Sequence, residues 1–598
     1  MDLKLSKKSR INLSRLNGIF YSNIGQLIIA VILIILIYTI YTYPLMTNLN
    51  MVIGSSNYQH DSGSYYWTNW AFEQDLKENN PRLYSDWVLY PDGVNMLRNT
   101  SNWVMNLSAI LFDEYAIGMN LYLILHFILA SAGIVLLGRY LKFPFMWILL
   151  IVVFFNFYPA RMGSYSASHY NLLSTGIVPW FVLSLLKGLR IYENGLGIRI
   201  KSIGYFLLCI LLVFLSILVD YAPTAFLLYF CVFWYVYHRF SPAWYRLSRP
   251  RRAVFLLLVF LGLHLLTSVF ISLGLSPSDA YWYQSDLSHY FSPEPGFHLI
   301  YHSWFPNLKW GGEHAFGVFM GYGVALLVVY LIFIYRKSPR VAAPWLFISL
   351  LFVLFTLPEL SLWGFKPGLN SPTSFLHFIP VLKQNRVPFR LLQMMWLSLG
   401  IGLAYIAMQG SWILKRALPL VVMSLCFLEW MPNPAAMPKL DMRTQPAFIQ
   451  AIARQPGRVM LTVPLGVRDG MRLEGEFDTN LMRYQYFYQK KLLSGYISRV
   501  PSELFESRLA DPVWRSLMDW SKNPGATPPP PTAQQWLAFE SRYKPDLICV
   551  YPQYASSPFM DSFILLIRSQ GFEPVRTVEG YQIWAKASAD PVSPVSAQ

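Results

Sequence analysis

Residues 25–45 read GQLIIAVILIILIYTIYTYPL and carry no charged side chain. A helix of roughly 20 mostly apolar residues is long enough to cross the hydrocarbon core of a bilayer, which is about 30 Å thick. A secretory signal peptide has a shorter apolar core and ends at a cleavage site of small residues, and no such site follows here. The stretch therefore predicts an uncleaved membrane anchor.

The rest of the chain has a similar composition. Of its 598 residues, 54% are hydrophobic and only 13% are charged, whereas soluble domains contain about 25% charged residues. Such a composition predicts a polytopic α-helical membrane protein. Eleven spans are predicted: 25–45, 117–137, 144–159, 170–187, 202–219, 221–237, 253–274, 316–335, 342–358, 389–408 and 413–430.

The charge distribution predicts how the spans are oriented. Lys and Arg are concentrated in the N-terminal segment and in alternate short loops. Because such loops stay in the cytoplasm, the N-terminus is predicted to be cytoplasmic and the C-terminus extracytoplasmic, in a cytoplasmic membrane. The net charge of +16 is then mostly a signal of topology. Nothing in the sequence indicates a nucleic-acid partner.

Two domains are predicted. The first is a membrane domain over 1–436, and its long loops are usually the functional parts of such a protein. Its three predicted outer loops are 46–116, 275–315 and 359–388. From residue 437 onward the charge rises, and short strand-like runs alternate with helical patterns. This alternation predicts an extracytoplasmic α/β domain over 437–598, with a disordered tail after Lys586.

The first outer loop contains an acidic residue beside many aromatic side chains. Asp61 follows His60, and the aromatic spacing over 62–76 predicts a helix lying on the membrane surface, with Trp67 on it. A carboxylate at this position is suited to act as a base on a lipid-linked substrate. Alternatively, Asp61 caps the helix, and the aromatic rings form an ordinary interfacial belt.

The second outer loop, 275–315, contains Asp286 together with several histidines and further carboxylates. Histidine and carboxylate side chains are ligands of divalent metal ions, so a divalent metal is one interpretation of this loop. The spacings match no compact metal motif, however. The polarity of a solvated loop explains the same residues equally well.

The third outer region ends at 381–390 with VLKQNRVPFR. Its cations Lys383, Arg386 and Arg390 lie at the outer end of a predicted span, against the charge rule. Arginine binds phosphate through paired donors, and a helix N-terminus favours an anion further. The alternative is that these side chains only reach toward lipid head groups.

A polar hairpin is predicted over 155–171, FNFYPARMGSYSASHYN, on the outer side of the membrane. Within it, His169 either lines a cavity or completes a buried hydrogen-bond network. Asp220, between two predicted spans, is interpreted as a turn or cap residue. No Walker loop, dinucleotide fingerprint, serine-hydrolase elbow or paired-cysteine metal motif is present.

The order of several short motifs resembles that of the GT-C class of membrane glycosyltransferases. The motifs are Asp61 after the anchor, Trp67 with Trp70, Leu89-Tyr90-Pro91-Asp92-Gly93, Tyr158-Pro159-Ala160-Arg161 with His169, Asp286 with Pro293, Arg386-Val387-Pro388-Phe389-Arg390, Val463-Pro464-Leu465-Gly466 and Ser494-Gly495-Tyr496-Ile497-Ser498-Arg499. The resemblance implies a transferase that uses a polyprenyl-phosphate sugar donor at the outer face. A single attack on that donor predicts inversion at the anomeric carbon, and the transferred sugar is expected to be a hexose or pentose. The resemblance assigns the base to Asp61. Many members pair two acids there, whereas the neighbour here is His60.

The resemblance also implies a set of substrate-binding residues and partners. The residues are His60, Trp67, His169, Asp286, Lys383, Arg386 and Arg390. The partners are membrane lipid, the lipid-linked sugar, and a glycan, lipid or protein acceptor. A non-catalytic carrier or assembly factor for lipid-linked envelope glycans is the alternative function. A secondary transporter fits less well, because the predicted spans are almost free of charge.

Overall fold

The computed structural model describes most of the chain. The described residues are 23–54, 62–78, 84–96, 102–112, 114–191, 198–246, 248–272, 286–293, 297–301, 318–334, 340–357, 359–363, 365–366, 370, 373–374, 388–470, 472–524 and 528–587. The chain divides into two compact units. Unit 1 comprises Met1–Thr47 and Leu123–Met437, and unit 2 comprises Asn48–Tyr122 and Pro438–Gln598. Most of the predicted first outer loop therefore belongs to the same unit as the C-terminal segment.

The helices of the described residues are numbered in chain order. They are α1 (Asn23–Thr42), α2 (Ser62–Lys77), α3 (Trp103–Ile110), α4 (Tyr115–Tyr140), α5 (Phe145–Phe157), α6 (Pro159–Ser166), α7 (Tyr170–Leu173), α8 (Val178–Gly188), α9 (Ile203–Val219), α10 (Tyr221–Arg246), α11 (Arg249–Ser272), α12 (Tyr322–Ile334), α13 (Ala343–Phe355), α14 (Leu392–Ala407), α15 (Trp412–Glu429), α16 (Ala447–Ala453), α17 (Thr479–Arg483), α18 (Gln485–Tyr488), α19 (Ser502–Ala510), α20 (Pro512–Lys522), α21 (Ala533–Tyr543) and α22 (Pro558–Ser569).

The strands are numbered in the same way. They are β1 (Met51–Ile53), β2 (Tyr84–Ser85), β3 (Val94–Asn95), β4 (Leu189–Ile191), β5 (Ile198–Ile200), β6 (Lys439–Asp441), β7 (Val459–Val463), β8 (Gly466–Arg468), β9 (Leu473–Gly475), β10 (Lys491–Leu492), β11 (Gly495–Tyr496), β12 (Leu547–Val550), β13 (Phe572–Val578) and β14 (Tyr581–Lys586).

Each of the eleven predicted spans contains a helix, namely α1, α4, α5 and α8 to α15. Four helical segments of the described chain are long and apolar enough to cross a membrane: Ile24–Thr42, Tyr115–Tyr140, Phe145–Ser166 and Pro388–Ala407. These segments make the chain an integral membrane protein. That all eleven helices cross the membrane stays a prediction, as does the side on which each loop lies.

Helix α14 packs closely against two neighbouring helices of unit 1. A Cβ atom on Gly400 would lie 2.9 Å from Ile151 of α5, and one on Gly402 would lie 2.7 Å from Leu346 of α13. Small residues allow helices in a membrane protein to approach in this way. The short 3-10 helix Pro388–Leu391 leads directly into α14 and is in contact with α13 as well.

Unit 2 is built on a five-stranded mixed sheet with the strand order β10-β7-β12-β14-β13. Strands β10, β7 and β12 are parallel, whereas β14 and β13 are antiparallel to their neighbours. Every residue of β7 and β12 is buried, as expected of parallel strands that are covered on both faces. A three-stranded sheet, β11-β8-β9, extends the unit.

The first outer loop contributes strands and a helix to unit 2. Strand β1 pairs with β6, with Met51 opposite Asp441. The predicted helix after Asp61 is present as α2, but the prediction that it lies on the membrane surface is wrong. Trp67 and Trp70 of α2 are buried in the hydrophobic core of unit 2. The aromatic residues of α2 are covered by the C-terminal segment of the same unit. The predicted disordered tail, apart from Ala587, lies outside the described residues.

Candidate functional site

Asp220 lies at the turn between α9, which ends at Val219, and α10, which begins at Tyr221. Its carboxylate is buried and hydrogen-bonded on both oxygens. The Ala222 backbone N–H donates to Oδ1 at 2.6 Å, and the Asn171 side-chain amide donates to Oδ2 at 2.7 Å. Asp220 therefore caps α10, in agreement with its interpretation as a cap residue, and it also joins that helix to α7.

The positive charge of Arg390 acts on the Asp220 carboxylate. Burial raises the pKa of the Asp220 carboxyl above its ordinary value. The hydrogen bonds from Asn171 and Ala222 and the positive charge of Arg390 oppose this increase. Asn171, Asp220 and Arg390, which are far apart in the sequence, thus form one polar cluster at the ends of apolar helices in unit 1.

The position of Arg390 suits anion binding. The residue is half-buried in the 3-10 helix Pro388–Leu391, two residues before Leu392, the first residue of α14. A helix N-terminus presents backbone N–H groups and favours negative charge, and a guanidinium adds paired donors for a phosphate. The other two predicted cations of this region, Lys383 and Arg386, lie outside the described residues.

His169 is near this cluster along the chain. It occupies the position before α7, two residues from Asn171, and it is half-buried. Its backbone N–H donates to the Ser164 carbonyl at 2.8 Å, and its carbonyl accepts from the Leu172 N–H at 3.0 Å. Ser168, which precedes it, has a left-handed φ of 58° and turns the chain from α6 into α7. A role for the His169 imidazole in substrate binding stays a prediction.

Arg161 of the same hairpin points into the protein interior. The position of the hairpin on the outer side of the membrane stays a prediction. The guanidinium is buried and donates to the carbonyls of Phe155 and Leu173 and to the Asn156 side chain, at 2.8 to 3.2 Å. It also lies over the Phe127 ring, 4.2 Å from its centroid. Arg161 therefore satisfies carbonyl groups at the ends of α5 and α7, and holds in place the segment that presents Asn171.

Asp286 is an acceptor for four donors of the protein itself. Its Oδ1 accepts from the backbone and the hydroxyl of Ser288, at 2.7 and 2.6 Å, and from the Trp363 N–H at 3.0 Å. Its Oδ2 accepts from the Ser361 hydroxyl. His289 completes a capping box, because its Nδ1 accepts from the Asp286 N–H at 3.1 Å. Asp286 thus ties two loop segments together. A contact with substrate stays a prediction.

Glu429 is a third buried acid of unit 1, after Asp220 and Asp286, and no role was predicted for it from the sequence. It ends α15, and its carboxylate accepts from the N–H groups of Tyr322 and Gly323 at 3.2 and 3.1 Å. The Tyr301 hydroxyl donates to it at 3.0 Å. Glu429 therefore caps the N-terminus of α12 from a different helix. Its sequence signal is an isolated acid at the end of the last predicted span.

The predicted base Asp61 and its neighbour His60 lie outside the described residues. The ends of their segment, however, are in contact within unit 2. A Cβ atom on Gly54 would lie 2.6 Å from the Ser62 Oγ. The buried guanidinium of Arg483 donates to the same oxygen at 2.9 Å. Arg483 was not predicted as a site residue. No local sequence pattern indicates that an arginine of the C-terminal segment contacts the first outer loop.

Trp67, another predicted substrate contact, has no exposed surface. Its ring is part of the core of unit 2. The substrate-binding role of Trp67 stays a prediction, and full burial gives it no support. Within the described part of the chain, no group of three His, Cys, Asp or Glu side chains is placed to hold a metal ion. A divalent metal also stays a prediction.

Solved structures that are similar to this chain include the following two. Arabinofuranosyltransferase AftD from Mycobacteria is 14% identical, with a TM-score of 0.48 over 94% of this chain and 42% of that chain. ArnT from Cupriavidus metallidurans, bound to undecaprenyl phosphate, is 13% identical, with a TM-score of 0.41 over 95% of this chain and 99% of that chain. This chain thus spans less than half the length of AftD.

AftD is a glycosyltransferase by name, which is the class that the motif order of this chain resembles. At these TM-scores neither similarity decides the fold or the activity of this chain. No protein-family model and no curated protein sequence matches it. The proposal that follows is therefore based on the residues themselves.

Proposed function

We propose that this chain is a membrane glycosyltransferase that moves a sugar from a polyprenyl-phosphate donor to an acceptor at the outer face of the cytoplasmic membrane. The observation that carries the proposal is the cluster of Arg390, Asp220 and Asn171 at the ends of apolar helices. A polyprenyl-phosphate donor has an apolar tail and one phosphate group. Apolar helices accommodate such a tail, and a guanidinium at a helix N-terminus binds such a phosphate.

Arg390 has the role of an electrostatic stabiliser in this proposal. When the glycosidic bond breaks, negative charge develops on the departing polyprenyl phosphate, and a positioned guanidinium lowers the energy of that state. The charge of Arg390 acts on the Asp220 carboxylate, and we assign to that carboxylate the role of orienting the guanidinium before the donor binds. Asn171 in turn orients the carboxylate through its hydrogen bond. Both are positioning residues rather than catalytic ones.

Asp61 has the role of the base. A sugar hydroxyl is a weak nucleophile, and a carboxylate that removes its proton assists the attack on the anomeric carbon. One direct attack with phosphate as the leaving group inverts that carbon. Because phosphate is a good leaving group, the reaction requires no nucleotide. The transferred sugar is a hexose or pentose, and the acceptor is a glycan, a lipid or a protein.

The test uses the purified full-length protein in detergent with a panel of polyprenyl-phosphate sugars. Released polyprenyl phosphate is measured by mass spectrometry. The wild type is expected to release it with one donor, and Asp61→Asn to do so about 10²-fold more slowly or worse. The control is Asp519→Asn, which removes a half-exposed acid of unit 2 and is expected to leave the rate unchanged.

Two results would contradict the proposal in different ways. Full activity of Asp61→Asn would remove Asp61 as the base while leaving the transferase in place. Specific binding of polyprenyl phosphate with no release from any donor would instead favour the carrier or assembly factor. In the second case Arg390→Gln would still weaken lipid binding, so the role of the cluster is tested separately from the chemistry.

A further inference from the structure

Helix α3 buries a polar side chain and exposes apolar ones, which is the reverse of the usual arrangement in water. The Asn106 side chain is fully buried, whereas Leu107 and Leu111 are 51% and 81% exposed. Leu111 ends the helix with helical backbone angles, so it lies on the same face as Leu107, one turn away. Phe112, the next residue, is 38% exposed. Leu107, Leu111 and Phe112 form the apolar patch of α3.

Such a patch requires an explanation. Single exposed leucines are common on soluble proteins, but a buried amide next to an exposed apolar face is not, because buried positions are normally apolar. Contiguous exposed apolar side chains are typical of surfaces that contact another protein or a membrane. The position of α3 in the chain decides between the two.

Close contacts hold α3 against the first two turns of α4. The Asn102 amide, which caps α3, donates to the Tyr122 hydroxyl at 2.6 Å. The Ser108 hydroxyl donates to the Gly118 carbonyl at 3.3 Å. A Cβ atom on Gly118 would lie 2.4 Å from the Ala109 Cα atom, so the two helix backbones touch there. Helix α3 therefore has a defined position along α4.

That position coincides with the level at which α4 enters the membrane. Helix α4 has 26 residues and is apolar enough to cross a bilayer, whereas roughly 20 residues are enough for the hydrocarbon core. Counted back from Arg139 at the basic end of the helix, a span of about 20 residues begins near Asn120. Gly118 and Tyr122, which contact α3, are each about 3 Å along the helix axis from Asn120. Both therefore lie at the level of the lipid head groups.

A protein partner explains the apolar patch less well than lipid does. A stable protein–protein interface contains roughly 20–30 residues on each side, and the patch consists of three side chains. Lipid requires no such area, because it surrounds α4 at this level. The apolar face of an interfacial helix enters the boundary between head groups and acyl chains in the same way.

We propose that α3 lies in the membrane interface, with the apolar patch inserted between the lipid head groups and the acyl chains. The insertion attaches the first outer loop to the bilayer at a point between the two helices that flank this loop, α1 and α4. The contact with the membrane surface that the sequence predicted for α2 is thus assigned to α3. The proposal does not depend on whether the chain transfers sugars.

The experiment uses the full-length protein in phosphatidylcholine vesicles. Leu111→Cys is labelled with bimane, in a background with Cys231→Ser, because Cys231 is the native cysteine that is not fully buried. The quencher is phosphatidylcholine with a nitroxide near the head-group end of an acyl chain. Bimane at position 111 is expected to be quenched about threefold or more strongly than bimane at a solvent-exposed control position, because only the former reaches the acyl boundary.

The matched control is Leu537→Cys. Leu537 is also an exposed leucine, at 55%, but it lies on α21 between the exposed residues Gln534 and Ser541, on a polar face of that helix. Within α3, Leu107→Cys is expected to be quenched like Leu111→Cys. Ser108→Cys, at a position in contact with α4, is expected to be quenched less.

Two results would overturn the proposal. Lipid quenching at position 111 that is no stronger than at position 537 would mean that the patch does not reach the acyl chains. Protection of the bimane from aqueous iodide without quenching by lipid would mean that a protein surface, such as a second copy of the chain, covers the patch. Because Leu111 is exposed, its substitution is expected to leave thermal unfolding unchanged, and this measurement excludes unfolding as the cause of weak quenching.

Discussion

The Asn171 amide donates a 2.7 Å hydrogen bond to the buried carboxylate of Asp220, which joins two helices that are remote in sequence. A carboxylate that is withdrawn from water must be hydrogen-bonded or paired with a cation. Asp220 has both kinds of compensation, since Asn171 and Ala222 donate to it and the charge of Arg390 acts on it. The stability of the buried carboxylate therefore depends on each of these three partners. Replacing one of them should have a measurable effect on stability or on lipid binding.

Asn171→Ala is expected to destabilise the protein, because it removes a donor from a buried charged group. Hydrogen bonds to charged groups contribute about 1.5–3 kcal/mol to the free energy of unfolding. The measurement is thermal unfolding in detergent, compared with Asn523→Ala. Asn523 is an exposed asparagine at the end of α20, so its loss is expected to change the free energy by less than about 0.5 kcal/mol. Equal stability of the two variants would contradict the prediction.

Arg390→Gln is expected to raise the dissociation constant of polyprenyl phosphate about 10- to 100-fold, because a charged donor pair is lost from the proposed phosphate site. Arg390→Lys keeps the charge but not the paired geometry, so its effect is expected to lie between those of Gln and the wild type. Binding is measured with the purified protein and fluorescent polyprenyl phosphate.

The control for this substitution is Arg416→Gln. Arg416 is an exposed arginine near the start of another apolar helix, α15. It is predicted to lie at the cytoplasmic end of the span 413–430, and its loss is expected to leave lipid binding unchanged. If both arginine variants weaken binding equally, the effect is general attraction to an anionic lipid, and the assignment of Arg390 fails.

The helices of the eleven predicted spans were predictable from the sequence because each is a long apolar run. The burial of α2 was not predictable in the same way. Its aromatic pattern suits a membrane surface or a protein core equally, and the choice depends on a C-terminal segment far along the chain. The pairing of Met51 with Asp441 is another such long-range contact. Local periodicity contains no information about either.

The residues of the candidate site also fall into two groups: those that a local sequence pattern indicated, and those that depend on long-range contacts. The cations at 383–390 were visible because they contradict the charge rule. The partnership of Asp220 with Asn171 was not visible, since an acid before a helix is fully explained by capping. For Asp286 the sequence did contain a signal: the spacing of Asp286, Ser288 and His289 is that of a capping box. Its four protein donors follow from that local geometry and from the loop at 361–363.

Arg508→Gln is expected to loosen the segment 84–96 within unit 2. The Arg508 guanidinium has no exposed surface, donates to the carbonyls of Leu89 and Tyr90 at 3.1 Å, and pairs with Asp92 at 2.8 Å. Its loss removes a charged donor from the Leu89 and Tyr90 carbonyls and from the Asp92 carboxylate, and is expected to lower the free energy of unfolding by about 2–3 kcal/mol. The measurement is hydrogen exchange of residues 84–96 in the full-length protein, which should become faster.

Arg542→Gln is the matched control for Arg508. Arg542 lies 3.5 Å from the same Asp92 carboxylate oxygen, but its side chain is about half exposed. An exposed ion pair contributes about 0–1 kcal/mol, so exchange of the segment should remain close to that of the wild type. If both variants accelerate exchange equally, burial of the guanidinium is not what holds the segment.

Asp478 is expected to make the stability of unit 2 depend on pH. Burial raises its pKa from 3.8 to about 6, although the Asn480 N–H and the Tyr551 hydroxyl, 2.8 and 2.9 Å away, lower it. The native state therefore keeps a proton that the unfolded chain has released. The resulting stabilisation is complete below about pH 4 and is lost as the pH rises through about 6, by at most about 3 kcal/mol.

The measurement is the denaturation midpoint between pH 4 and 7, which should fall with rising pH in the wild type because of Asp478. The slope should be smaller in Asp478→Asn, which has no titrating group there, and unchanged in the exposed control Asp519→Asn. A slope that is the same in all three proteins would contradict the raised pKa of Asp478.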